Sequence, residues 1–239
     1  MQIEPDHFGV TYGWSAIPWR WLRRVALGAT GVTTSVWLLA PGIRTLLQSD
    51  PVRTMDTQLA TWLQAGMTSQ AFAQMMGWLS LFHGTAGILV MTALAAAALW
   101  QIEERERLPV LGVTVLGGML LNVAVKHVVH RARPDWGHAP LEALESFSFP
   151  SGHTAGATVF YGVVVAWLWP RLGSAWVRTG LLLAALTMML LVATSRIARG
   201  MHFPSDCIAA LLEMSVWLTV CLAGILPRHA SLLSIHHPP

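Results

Sequence analysis

Charge is scarce in this sequence. Lys, Arg, Asp and Glu make up 11% of its 239 residues, against about 25% in an average soluble domain, while 54% are hydrophobic. Such a balance excludes an ordinary soluble domain and points to a chain that crosses a membrane several times. Cysteine is nearly absent: Cys207 and Cys221 are the only two. Both fall in one apolar run and, if it is helical, stand about 21 Å apart along its axis. That is too far for a disulfide, and no cysteine spacing suits a metal. Lysine occurs once, at Lys126. There is no basic run interleaved with aromatics, and the net charge is only +3, so nucleic acid is not an expected partner. No protein partner is inferred. No internal repeat, low-complexity tract or linker divides the chain, so residues 1–239 read as one domain.

What is present is a series of apolar runs, at about 25–43, 81–100, 108–127, 153–170, 177–195 and 207–226. Each approaches the roughly 20 residues that span a bilayer as a helix. The expectation is an all-α integral membrane bundle of six transmembrane helices. A signal peptide is the rival for the first run, opposed by its long polar lead and the lack of a clean cleavage site. Residues 44–80 carry apolar side chains at near-helical spacing among polar ones. They read as one or two amphipathic helices, on the membrane surface or capping the bundle, or as packing helices of the soluble type. The twelve Trp suit interfacial belts. If the runs alternate, Arg20, Arg23, Arg24, Arg105, Arg107, Arg171, Arg178 and Arg228 all fall on one side, cytoplasmic by the positive-inside rule. Both termini then lie in the cytoplasm, and residues 128–152 and 195–206 face the other side.

Three polar clusters remain on that other side, at a depth where ionisable residues are costly. The first closes the third run: Lys126 and Arg133, about two helical turns apart, followed by Pro134. Two converging cations suit a phosphate or carboxylate. The second is Pro150, Ser151, Gly152, His153 at the start of the fourth run. Ser151 suits a helix N-cap, Gly152 permits close approach of backbone, and a helix N-terminus favours an anion. His153 is placed to give a proton to a leaving oxygen. The third is Ser195, Arg196, His202, Asp206, with Pro204 suited to a first helical turn. There Asp206 can hold one ring nitrogen of His202 and leave the other to attack or to shuttle a proton. Taken singly, each cluster also fits a plain alternative: snorkelling arginines, a capping turn, a polar loop. Together they supply cations, a helix N-terminus, two histidines and an aspartate.

In this order and spacing the residues resemble the type 2 phosphatidic acid phosphatase (PAP2) superfamily, which also contains vanadium haloperoxidases. Its signature K-x6-RP, PSGH and SR-x5-H-x3-D is matched at every position between residues 126 and 206. Residues 1–80 carry no matched motif, and the motif-bearing core is about 81–226. The resemblance implies a metal-free lipid phosphatase with no cofactor. By it, His202 attacks phosphorus to form a phosphohistidine, Asp206 orients it, and His153 protonates the leaving group. Lys126, Arg133, Arg196, Ser151, Gly152 and Ser195 bind the phosphoryl oxygens. The expected substrate is a lipid phosphate held in the membrane: phosphatidic acid, phosphatidylglycerophosphate, undecaprenyl diphosphate or a lipid A phosphate. The expected location is the bacterial cytoplasmic membrane, with the site on the periplasmic face. A lipid-to-lipid phosphotransferase and a non-catalytic lipid-phosphate carrier are the alternatives. His83, His127, His130 and His138 match no motif position. Arg131 and Arg199 are candidates for guiding an anionic head group, and Asp135, Glu142 and Glu145 read as loop charges.

Overall fold

The computed structural model describes residues 19–136 and 147–223. His138, Glu142, Glu145 and Arg228, and the expected end of the last span, lie outside them. The described residues form eight α-helices, and the chain is a multi-pass integral membrane protein.

Helix α1 (Trp19–Gln48) runs further at both ends than its apolar stretch. Leu27, Trp37, Leu38 and Leu39 stay exposed on it, as a lipid-facing surface requires. Trp21 turns inward and its Nε1 donates to Cys221 O at 2.7 Å, fixing the start of α1 against the end of the last helix. Residues 50–82 form α2 (Asp50–Ala65) and α3 (Gln70–Phe82), the two expected amphipathic helices. They bury narrow faces, Asp56 with Ala60 on α2 and Met76 with Ser80 on α3. Helix α4 (Thr85–Gln101) leaves α3 at a 60° bend. A Cβ at Gly87 would run into the Phe82 carbonyl, so only glycine lets the chain turn back this tightly.

Helices α5 (Leu108–Val129), α6 (Gly152–Leu168), α7 (Ala175–Ala198) and α8 (Pro204–Leu222) carry the motifs. Helix α6 is central and packs on α4, α5, α7 and α8. Gly117 and Gly118 of α5 serve close approach, as their sequence suggests: a Cβ on them would stand 2.7 and 3.0 Å from the Trp217 ring of α8. The indole Nε1 is satisfied by Thr114 O at 2.8 Å. Val115, Val159, Met214 and Trp217 are almost completely buried around this contact.

The expected count of six spans is reached only in part. Four helices, α1, α5 with its preceding turn, α7 and α8, are long and apolar enough to cross a membrane, and the bent pair α3–α4 adds a fifth if it is counted as one broken span. Helix α6, at 17 residues, is about 26 Å long, short of the roughly 30 Å hydrocarbon core. Hydropathy does not register the bend that starts the expected 81–100 run. At one end of the bundle Glu104 joins two turns: it accepts from Trp167 Nε1 at 2.8 Å and pairs with Arg107 at 3.0 Å and with Arg171. The opposite end brings together the ends of α5 and α7 and the starts of α6 and α8, where the three polar clusters lie.

Candidate active site

The start of α8 is built around Asp206. Phe203, in extended conformation, is the N-cap residue and Pro204 opens the helix, so Asp206 falls at the third helical position. From there its Oδ2 accepts the Phe203 N–H at 2.9 Å and the Ser148 hydroxyl. Oδ1 accepts from Arg131 Nη1 at 2.5 Å. The carboxylate is completely buried and held on both oxygens, which a buried charge requires.

His202 sits just before α8, as its place ahead of Pro204 implies, and is 2% exposed. Its Nδ1 lies 3.5 Å from Asp206 Oδ2, longer than a good hydrogen bond, and has no hydrogen-bond partner. The expected His202–Asp206 bond is therefore open in this arrangement, because Oδ2 is already occupied by Phe203 and Ser148. On the other side Nε2 faces Arg133 Nη1 at 3.4 Å, while the same Nη1 donates to Met201 O at 2.8 Å. Burial pushes the His202 imidazole down to about 4 against the upward pull of Asp206, with the charges of Lys126 and Arg196 adding to the fall. The ring is neutral at neutral pH, the form in which a histidine attacks.

Two further cations close on this point. Lys126, in the last turn of α5, is 8% exposed and donates from Nζ to Phe147 O at 2.9 Å. Arg196 is 1% exposed and donates to the Ser80 hydroxyl of α3. Ser151 occupies the N-cap position of α6, but its side chain does not cap the helix. Its hydroxyl accepts from Thr154 Oγ1 at 3.1 Å, and its N–H donates to Asp206 O, also at 3.1 Å. That last bond ties the starts of α6 and α8 together. A Cβ on Gly152 would stand 3.5 Å from Asn122 Oδ1 and 3.9 Å from Lys126 Cε, which places the second motif against the first. His153 lies against the α3–α4 bend, where a Cβ on Gly84 would be 3.4 Å from its Nε2. Ser195 is fully buried and donates to Val192 O at 2.7 Å within its own helix. Among the described residues no group of three or more His, Cys, Asp or Glu is placed to hold a metal ion.

Several residues of this network carry no motif. Arg131, a sequence candidate for head-group guidance, is a half-buried strut between two aspartates. Its Nη2 meets Asp56 Oδ2 at 2.8 Å, its Nη1 also meets Ser205 Oγ at 2.7 Å, and its guanidinium stacks 4.1 Å over the Phe203 ring. Asp56 reaches in from α2, 1% exposed, and accepts from the Ser205 N–H at 2.8 Å and its hydroxyl at 2.6 Å. Asn122, one turn before Lys126, donates to Glu213 Oε2 at 3.1 Å. His83 is buried at the α3–α4 bend between Leu79 O and the Tyr161 hydroxyl, and His127 bonds Val123 O of its own helix at 2.8 Å.

Comparison with known proteins places the chain in a family and a fold. The sequence profile of the PAP2 superfamily matches residues 108–229. A lipid A 1-phosphatase of Rhizobium johnstonii is 32% identical over 122 residues, covering 48% of this chain and 45% of that protein. Phosphatidylglycerophosphatase B of Bacillus subtilis is 38% identical over 88 residues, covering 36% and 42%. The chain thus spans less than half the length of the curated relatives it matches. The crystal structure of a transmembrane PAP2 type phosphatidylglycerolphosphate phosphatase from Bacillus subtilis superimposes with a TM-score of 0.67 at 22% identity, covering 79% of this chain and 93% of that one. The fold is therefore shared beyond the motif region.

Proposed function

This chain belongs to the PAP2 superfamily, and from that premise we propose that it removes phosphate from a lipid phosphomonoester or diphosphate through a phosphohistidine at His202. The observation that carries the proposal is His202 itself: neutral, buried, and set between Asp206 at 3.5 Å and Arg133 at 3.4 Å. A guanidinium only donates, so the nitrogen facing Arg133 holds the lone pair and the proton sits on Nδ1, toward Asp206.

Nε2 attacks phosphorus, the P–O bond to the lipid breaks, and His153 gives its proton to the departing oxygen. Positive charge grows on the His202 ring as the P–N bond forms, and Asp206 is placed to compensate it. Water then attacks phosphorus and gives its proton to His153. The P–N bond breaks and inorganic phosphate leaves. Lys126, Arg133 and Arg196, with Ser151, the Gly152 N–H and Ser195, are assigned to the phosphoryl oxygens. Ser195 has the weakest geometric support, since its hydroxyl is engaged with Val192 O. Phosphoryl transfer needs positioning and charge stabilisation above all, and three buried or half-buried cations supply that charge without a metal.

The names of the relatives favour lipid A 1-phosphate and phosphatidylglycerophosphate as substrates, within a class that includes phosphatidic acid and undecaprenyl diphosphate. We place the protein in the bacterial cytoplasmic membrane. The end bearing Arg105, Arg107, Arg171 and Arg178 is cytoplasmic by charge, and the site faces the periplasm. Helix α6 serves as a sixth crossing, lengthened by its turn Trp169–Arg171. The test is phosphate release from a lipid panel by purified protein. Release that survives excess chelator and falls with vanadate is expected. Loss on chelation that a divalent ion restores would overturn the metal-free mechanism. Phosphoryl transfer to a second lipid without phosphate release would make the protein a phosphotransferase.

A further inference from the structure

Beside the reacting residues lies a cavity of about 1040 Å³ that shares only Arg133 with the residues assigned to the reaction. Its walls are the end of α1, the start of α2, residues 129–136 and Phe203. It joins the reaction site at Arg133, whose Nη1 is 3.4 Å from His202 Nε2. Lipid phosphate groups need little of this room. A volume near 1,000 Å³ is at the upper end for a drug-sized ligand, so it accommodates a head group that extends past the reacting phosphate. Trp136 and Phe203, with ring centroids 6.2 Å apart, contribute to the apolar part of a mixed wall.

The charge of the wall is one-sided. Arg44, Arg53, Arg131 and Arg133 line it with Asp56 and Asp135, and four cations less two carboxylates leave a formal +2 before His130. Asp56 offers little to a ligand, because Arg131 and Ser205 already occupy both its oxygens. Arg44 donates to Val129 O at 3.0 Å and Val128 O at 2.5 Å. Those carbonyls orient it without cancelling its charge. Arg53 differs from the rest. It is exposed, and its guanidinium makes no hydrogen bond or ion pair with a described residue. It also stands in the first turn of α2, the end of a helix dipole that disfavours a cation. Moreover, Arg44 and Arg53 lie at the end of the bundle that the positive-inside rule leaves poor in arginine. Among the described residues nothing neutralises Arg53, so its charge is open to a ligand in the cavity.

Resting on the phosphatase reading above, we propose that this cavity binds a second anionic group of the substrate, with Arg53 as its specificity-determining cation. The substrate is then a lipid whose head group carries two anionic groups, and phosphatidic acid, which ends at the phosphate that reacts, is a poor one. A phosphodiester, the inner phosphate of a diphosphate and a phosphate at the far end of a saccharide all supply the required chemistry.

The experiment compares phosphatidic acid, phosphatidylglycerophosphate, an isoprenyl diphosphate and a bisphosphorylated disaccharide lipid, in mixed micelles of constant composition with purified full-length protein. At least one of the last three should exceed phosphatidic acid tenfold or more in kcat/KM, and the lipid that does so identifies which second anion is read. Arg53→Gln should cut that ratio about tenfold, the size of a lost hydrogen bond to a charged group, mainly through KM. Arg53→Lys should recover most of it. Equal kcat/KM across the panel, or a ratio that Arg53→Gln leaves unchanged, overturns the inference while the phosphatase reading stands. Binding of the same lipids to His202→Ala protein, read by quenching of tryptophan fluorescence, separates the two. If no lipid is hydrolysed the phosphatase reading fails, and the cavity inference still stands or falls on whether two-anion lipids bind more tightly and lose that advantage in His202→Ala/Arg53→Gln.

Discussion

Replacing Arg131 by Gln would test whether this half-buried strut holds Asp206 in place. The side chain is 13% exposed and joins two carboxylates that are 1% and 0% exposed, Asp56 and Asp206. Gln cannot reach both, and it carries no charge. Removing one partner of a buried ion pair costs about 3–5 kcal/mol, because the other charge is left stranded. Here Asp206 keeps the Phe203 N–H and the Ser148 hydroxyl, and Asp56 keeps both donors of Ser205. Those bonds place the expected loss near the lower end, about 3 kcal/mol. Adding Asp56→Asn removes one of the stranded charges. The double variant should therefore be more stable than the sum of the two single losses predicts, by about 1 kcal/mol or more, a coupling typical of residues in one network. Denaturant unfolding in detergent micelles, followed by tryptophan fluorescence for all four proteins, measures both quantities. Turnover of Arg131→Gln should fall as well, since Asp206 loses the bond on its Oδ1. An Arg131→Gln protein within about 0.5 kcal/mol of wild type, or strict additivity in the cycle, would show that the strut carries neither the charge balance nor the position of Asp206.

The remaining expectations concern protonation, the lone lysine and topology. Burial holds the folded His202 near 4, below its ordinary 6.5, so the acid limb of kcat/KM from this group should lie near pH 4 in a pH–rate series. An inflection near 6.5 assigned to His202 by its loss in a variant would contradict its burial. The same shift means that the unfolded chain binds the proton more readily between those values. This contribution to stability is complete above about pH 6.5 and is lost as pH falls toward 4, which unfolding midpoints across that window will show. Lys126 is the only lysine among fifteen lysines and arginines, and its Nζ fits a single carbonyl, Phe147 O. Lys126→Arg, with a planar fork in place of a compact ammonium, should keep the fold and lose much of the turnover. Wild-type kinetics would make Lys126 an interchangeable cation. A reporter active only in the periplasm should work when fused between α5 and α6 and fail when fused near residue 174; the reverse pattern inverts the topology.

What was legible in the sequence was local. His202 and Asp206 are close in the chain, and Pro204 at the first helical turn decides their relative places. Lys126 and Arg133 are close too, but α5 ends at Val129 and His130 is left-handed (φ 55°), so the expected spacing of two helical turns does not hold between them. The motif order then says which helix ends must meet. Partners far apart in the chain gave no such signal. Asp56 is 149 residues from Ser205, and only its position beside Ala60 on the inward face of an amphipathic helix hints that it is buried. Ser80 and Ser148 are single small residues in apolar surroundings, unremarkable until Arg196 and Asp206 are set against them. Ser151 has the composition of a cap and the position of one, yet its hydroxyl is claimed by Thr154. The span count failed for a related reason. Hydropathy follows apolar content, whereas the turn at His83–Gly84 depends on the absence of a Cβ at Gly87, which alters composition hardly at all.

The most direct test of the central claim is a chemical trap of the covalent intermediate. Purified protein is mixed with a lipid substrate radiolabelled on the reacting phosphate, quenched within the first turnover, and the label on the protein is measured and mapped. His202 should carry it, as a bond that survives alkali and is lost in acid. His202→Ala should take up none. His153→Ala should form or discharge it at least about a hundredfold more slowly, as expected for a general acid–base group. Label on any other residue, or normal turnover by His202→Ala, would contradict the account.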